Sequence, residues 1–217
     1  MDIGRAFSYF MDDQDWLKKI LIGGLISFLP ILGFAGTGYW LTQTKRVYHG
    51  QEIPLPEWSD FGGYFMKGLM TTVGTLLYLL PALLIACCAF LPTFFLGNSR
   101  DGGNIATLLM FCGACLVVLY AIALAVFLPA VTTRYAITEQ FGAFFQFGEA
   151  WQLIRSNTSG YFTAVLVMMV AGMIAGTVGS IACLVGSAFT GVWASLVGAH
   201  LFGNFARGSA EQSPAMA

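Results

Sequence analysis

The chain has 217 residues, 57% of them apolar and only 10% charged, with a mean hydropathy of +0.75 and a formal net charge of −1. A soluble chain carries about 25% charged residues, so the polar surface that a water-exposed fold requires is missing. No basic domain is present for nucleic acid, and the five cysteines fall inside apolar runs, which excludes a loop-based disulfide framework.

At the N-terminus, Ile3, Phe7, Phe10 and Met11 recur at helical spacing with Arg5, Ser8 and Asp12 off that stripe. The pattern predicts an amphipathic helix over residues 1–12, lying on a membrane surface. In DDQDWLKK, Asp12 with Asp15 three residues on is a carboxylate variant of the capping box, so a helix is expected to start near Asp13. These acidic residues precede the first apolar run and no small-residue cleavage site follows it, so a cleaved leader is not expected.

The next run is broken by Pro30 and by Gly33, Gly36 and Gly38. Proline removes a backbone donor and clashes with the preceding turn, and glycine lowers helix propensity. Residues 16–48 therefore read as a hairpin of two half-helices. The first, up to Leu29, spans only about 20 Å, against a hydrocarbon core of about 30 Å. In the loop that follows, Pro54 and Pro56 impose an extended course, and Ser59 or Asp60 can cap the next helix.

Four membrane-spanning helices are expected over residues 61–96, 105–133, 160–183 and 187–206, with kinks at Pro81 and Pro129. Between the second and third, residues 142–157 read as an interfacial helix, with Phe144, Phe147, Trp151 and Ile154 on one face and Gln146, Glu149, Gln152 and Ser156 on the other. A single all-α membrane domain over residues 1–206 results, with a disordered tail over 207–217.

Charge decides the threading. If residues 22–40 cross the membrane fully, Lys and Arg divide almost evenly between the two sides. If the hairpin is re-entrant, Arg5, Lys18, Lys19, Lys45, Arg46, Lys67, Arg134, Arg155 and Arg207 all lie on the cytoplasmic side and Arg100 alone lies outside. Two very short full spans would give the same count, and the length argument favours re-entrance. Trp16, Trp40, Trp58 and Trp151 then fall near the cytoplasmic interface as aromatic anchors, and both termini are cytoplasmic.

Small residues recur every four positions, at Gly172, Gly176 and Ser180 and again at Ser187, Gly191, Ser195, Ala199 and Gly203. This spacing lets helix backbones approach closely in lipid. It predicts packing of the last two spans on each other, with a homo-oligomer interface as the alternative. Cys112 and Cys115 form a C-x-x-C, with Cys87 and Cys88 in the neighbouring span; inside an uncharged helix the ordinary reading is small packing residues, so no metal or other cofactor is expected. His200, with Asn204 one turn on, reads as a histidine bonded to a neighbouring helix or lying near the cytoplasmic interface. The PLPEW loop is a stiff linker or a partner-docking segment.

The string DIGRAFSYFMDDQDWLKKILIGGLISFLPILGFAGTGY, followed by PLPEWSDFGGYFMKGL, resembles the N-terminal signature of a family of prokaryotic multi-pass membrane proteins of unknown function, with D-W-L-K-K and P-E-W its most specific parts. In layout it is similar to the integral membrane domains beside some glycerophosphodiester phosphodiesterases. The resemblance covers roughly residues 2–206 and implies a membrane location and a shared fold; it transfers no catalytic residue. The expected function is a non-enzymatic, structural or membrane-organising protein of the cytoplasmic membrane, in contact with the bilayer and with a further copy or a membrane-complex partner. The alternative is a channel or facilitator for small neutral or lipid-like solutes.

Overall fold

A computed structural model describes residues 2–96, 100–181 and 183–212. Among the described residues the regular structure is entirely helical: α1 (Ile3–Ala6), α2 (Trp16–Phe28), α3 (Gly33–Tyr48), α4 (Phe61–Leu96), α5 (Arg100–Thr138), α6 (Phe147–Ser156), α7 (Thr158–Ile181) and α8 (Cys183–Gln212), with short 3₁₀ turns at Tyr9–Asp12 and Phe141–Phe145. Three helical stretches, Phe61–Pro92, Asn104–Thr138 and Thr158–Ile181, are long and apolar enough to cross a membrane. Two compact units result, one of Met1–Thr72 with Pro129–Ala217 and the other of Val73–Leu128.

Within Val73–Leu128 the packing is almost wholly apolar. The Tyr120 hydroxyl donates to the Tyr78 carbonyl at 2.7 Å, and the Tyr78 and Phe127 rings lie 6.3 Å apart. Gly113 sits directly on Ala89, leaving no room for a Cβ. Leu76, Leu80, Leu84, Leu108, Phe111, Leu119 and Ile122 are exposed, as lipid-facing side chains would be.

In the larger unit α8 is central, packing on α7, α3, α2 and α1. Its contact with α7 uses Ala171, Ala175 and Gly179, not the stripe one residue on. Gly172, Gly176 and Ser180 are exposed, and a Cβ on either glycine would meet nothing within 4 Å. The packing expectation for these three is thus corrected: the buried face of α7 is set by alanines, which permit nearly as close an approach. On α8, Ala199 and Gly203 are buried, and Gly203 seats against Thr44 and Val47 of α3. Thr190 donates its hydroxyl across to the Ala175 carbonyl at 2.7 Å.

The hairpin is present, and its turn is Leu29–Pro30–Ile31–Leu32. The expected turn glycines lie inside α3, at and just after its start. Gly33 donates its N–H to Leu29 O at 2.8 Å, closing the turn. A Cβ on Gly38 would collide with the Tyr64 carbonyl, and one on Gly68 with that of Phe34, so α3 and the start of α4 cross with their backbones touching. α3 ends in a Schellman motif: Gly50 has φ +78°, its N–H bonds Val47 O, and Gln51 N–H bonds Arg46 O.

Other boundaries move. Residues 1–12 are not one surface helix: α1 is a single turn, capped by Asp2, and the chain then folds Ala6, Tyr9 and Phe10 into the core. α2 starts at Trp16, not near Asp13, whose carboxylate accepts from the N–H groups of Asp15 and Leu55. Asp60 does cap α4, accepting from Gly63 N–H at 3.1 Å. α4 is helical through Pro81 and Pro92, and α5 through Pro129, whose carbonyl takes up the Thr133 hydroxyl at 2.7 Å. Around α6, Ala150, Leu153 and Ile154 are buried while Phe147 and Trp151 are exposed, so the aromatic face divides between protein and surroundings. α8 runs six residues past Ala206, to Gln212, where a disordered tail is expected; residues 213–217 lie outside the described residues.

Candidate functional site

The extended loop 51–60 has no partner strand, so its backbone groups must be satisfied by other means. Side chains satisfy them. Gln43 donates to Glu52 O at 2.9 Å, Arg46 to Pro54 O at 2.9 Å, Lys19 to Leu55 O at 3.0 Å and Tyr64 to Glu57 O at 2.7 Å. Asp13 completes the set by accepting Leu55 N–H at 2.7 Å.

Asp13 and Lys19, each 4% exposed, form the ion pair at the centre of this lock, with Lys19 Nζ 3.0 Å from Asp13 Oδ2 and 2.8 Å from Glu57 Oε1. Burial opposes the charged carboxylate. The Lys19 ammonium and the N–H groups of Leu55 and Asp15 outweigh it and hold Asp13 below the ordinary carboxylate range. Burial likewise opposes the Lys19 charge, and Glu57 and Asp13 more than compensate. The segments DDQDWLKK and PLPEW, far apart in sequence, are therefore one construction.

A second polar group lies beside it. Glu52 meets Arg5 Nε at 3.0 Å and His200 Nε2 at 3.4 Å, and Asn204 Nδ2 approaches the same imidazole nitrogen at 3.2 Å. Tyr9 stacks on the His200 ring at 4.7 Å and donates its hydroxyl to Leu196 O at 3.1 Å. His200 thus pairs with a carboxylate of the loop, not with a neighbouring helix as expected, and the sequence alone does not place that carboxylate there.

The lock positions a wall of aromatic rings. Trp58 donates Nε1–H to Lys19 O at 3.0 Å and stacks on Tyr39, centroids 4.4 Å apart and planes 8° from parallel. Trp16 packs edge-on against Phe10, and Trp40 is half-buried with its Nε1 near Gly198. Of the four tryptophans expected as interfacial anchors, Trp16, Trp40 and Trp58 are half-buried in these contacts and Trp151 is exposed.

Between this wall, the hairpin turn and the first half of α8 lies an open cleft of about 620 Å³. Ser27, Gly36, Thr37, Tyr39, Trp58 and Ser195 are among its lining residues, and no Asp, Glu, Lys, Arg or His is among the described ones. Of the small-residue stripe on α8, Ser187, Gly191 and Ser195 line the cleft. Gly33 and Gly36 line it from the hairpin side. Ser187 also sets its backbone against Gly179 of α7, where a Cβ would meet it. Cys87, Cys88, Cys112 and Cys115 are free thiols on exposed positions of α4 and α5, remote in sequence from this cleft; the side chain of Cys183 lies outside the described residues.

Sequence reasoning places the cleft glycines and serines on the right helices but misses Asp13, Lys19, Gln43, Glu52 and Tyr9 as a buried network. The one signal available was the pair of charged clusters flanking an apolar run too short to span a bilayer.

A family model described as a protein of unknown function, DUF4013, matches residues 22–184. No curated protein and no solved structure matches, and the similarity in layout to membrane domains beside glycerophosphodiester phosphodiesterases has no support among these comparisons. The match begins within α2 and takes in the hairpin, the PLPEW loop and the three apolar helices, and on that extent the chain belongs to the DUF4013 family.

Proposed function

We propose that this is a non-enzymatic multi-pass protein of a prokaryotic cytoplasmic membrane, with four spans, a re-entrant hairpin and cytoplasmic termini, that organises the inner leaflet as a structural scaffold. One observation carries the reading. α2 and α3, with 13 and 16 residues, extend only about 20 and 24 Å, too short to span a core of about 30 Å. Yet α2 presents Leu17, Leu21, Leu25 and Phe28 outward at four- and three-residue spacing, with Leu29 and Ile31 exposed at the turn. Its other side is fixed by the Asp13–Lys19 pair. A short apolar body held rigidly on one side is suited to enter a single leaflet.

The near one-sided distribution of Lys and Arg supports the orientation, and the length of α8, 30 residues, supports a fourth span. A homo-oligomer belongs to the same reading, with Gly172, Gly176 and Ser180 as the small-residue surface left free on α7.

The experiment is impermeant labelling of single cysteines placed at Ser59 and at Asn98, in a cysteine-free background, in intact cells. Label at Asn98 and not at Ser59 is the expected result. The reverse pattern means that the hairpin crosses, and the inner-leaflet reading fails. The cleft favours a second reading, a facilitator for small neutral or lipid-like solutes; solute flux or lipid scrambling in liposomes above the empty-vesicle rate would distinguish it from the scaffold.

A further inference from the structure

We infer that the cleft between the hairpin turn and α8 is a binding site for an uncharged glycerolipid of the diacylglycerol class. Its volume of about 620 Å³ lies in the range of ligand sites, about 300–1,000 Å³. The lining is apolar and aromatic with a few hydroxyls, which suits a ligand that is mostly hydrocarbon and carries a few hydrogen-bonding oxygens.

The hydroxyls give the class. Serine and threonine inside helices ordinarily bond the carbonyl one turn back, and in this chain Thr42, Thr44, Thr71, Thr72 and Ser195 do so. Ser27 and Thr37, facing the cleft from either side of the hairpin turn, have no hydrogen-bond partner among the described residues. Polar groups in such surroundings are costly when unsatisfied. A ligand with two ester carbonyls and a free hydroxyl offers acceptors and a donor to this set.

Charge separates this class from phospholipids. No Lys, Arg or His lines the cleft, so a phosphate headgroup inside it would lose its hydration without a counter-charge. The apolar outer face of α2 sets the cleft at acyl-chain depth; this step rests on the membrane placement of the hairpin, whereas binding itself is measurable without it.

The test uses full-length protein in detergent, where topology plays no part, and a photoreactive short-chain diacylglycerol as probe. Covalent labelling should map to residues 27–40 or 187–196 and be competed by unlabelled dioctanoylglycerol. Gly191→Leu fills the cleft from a position where a Cβ meets nothing within 4 Å, so the fold should be retained and labelling lost. Ser27→Ala with Thr37→Val should weaken competition about 5- to 30-fold, the value of one or two hydrogen bonds, with unchanged thermal stability. Labelling elsewhere, labelling indifferent to Gly191→Leu, or equal competition by phosphatidate overturns the proposal, as does a cleft that takes up no probe and holds only water. If cysteine mapping shows a crossing hairpin but probe binding persists, the scaffold reading fails and the site stands.

Discussion

The segment Val73–Leu128 and the rest of the chain are both built from apolar helices, yet they hold together by different means. In the first, the described contacts are ring packing, a close glycine and a tyrosine bonded to a carbonyl. In the second, Asp13, Lys19, Gln43 and His200 are buried at the crossing of the hairpin, the loop and α8. Lipid gives helices no hydrophobic reason to associate, so a span can rest on packing alone. An irregular loop cannot, because its backbone groups need partners wherever water is scarce. The buried charges lie where the chain is least regular.

The largest expected effect breaks that lock. Asp13→Leu leaves the buried Lys19 ammonium with the exposed Glu57 as its one carboxylate partner and takes the acceptor from Leu55 N–H, and should cost about 3–5 kcal/mol, read as a fall in the unfolding midpoint in detergent. Adding Lys19→Met should recover part of the loss, since the buried charge that lacks its buried partner is then gone. A double variant no better than the single would show that the backbone bond to Leu55, not the ion pair, carries the stabilisation. By contrast, Cys112→Ala on the exposed face of α5 should stay within about 0.5 kcal/mol.

Next in size are the glycines. Gly38→Leu must part α3 from α4, where the Tyr64 carbonyl occupies the only space, and overpacking of this kind costs about 1–3 kcal/mol or more. Gly172→Leu, drawn from the stripe that looked equally important in sequence, should cost nothing measurable by the same thermal assay.

The contrast between those two glycines also marks how far the sequence could be read. Apolar runs, the proline-bounded hairpin and the Asp60 cap follow from local chemistry and are legible residue by residue. The phase of a small-residue stripe is not: alanine and glycine both permit close approach, so Ala171, Ala175 and Gly179 compete with Gly172, Gly176 and Ser180 on equal terms. Nor can local pattern reveal that Asp13 reaches Leu55, because the partner is a backbone N–H presented by a distant loop. Tyr9 and Glu52 acquire their roles only when α8 brings His200 between them.

A pH series sharpens the comparison further. Asp13 and Glu52 have folded values below their unfolded ones, burial being outweighed by Lys19 in one and by Arg5 in the other. Their contribution is therefore complete above the unfolded carboxyl value of about 4 and is lost as pH falls through the folded value. The unfolding midpoint should be level from neutral pH to about 5 and fall below about 4. In Asp13→Asn the fall should be shallower; an unchanged slope would assign the acid sensitivity to other carboxylates.

The smallest effect is expected at Glu139, where two opposing terms meet. It follows the last residue of α5 with φ 55°, the left-handed region, which costs a residue with a Cβ about 1 kcal/mol. Its carboxylate lies 2.8 Å from Lys67 Nζ and 3.1 Å from Lys45 Nζ, and burial, which would raise it, is outweighed by these two lysines. Partly exposed pairs of this kind are worth about 0.2–1 kcal/mol each. Glu139→Gln keeps the strain and loses the charge, so it should destabilise by up to about 1 kcal/mol. Glu139→Gly loses the charge and removes the strain, and should lie near the parent. If the glycine variant is the less stable of the two, the side chain of residue 139 is holding the end of α5 by its packing, and the lysine pairs are incidental to it.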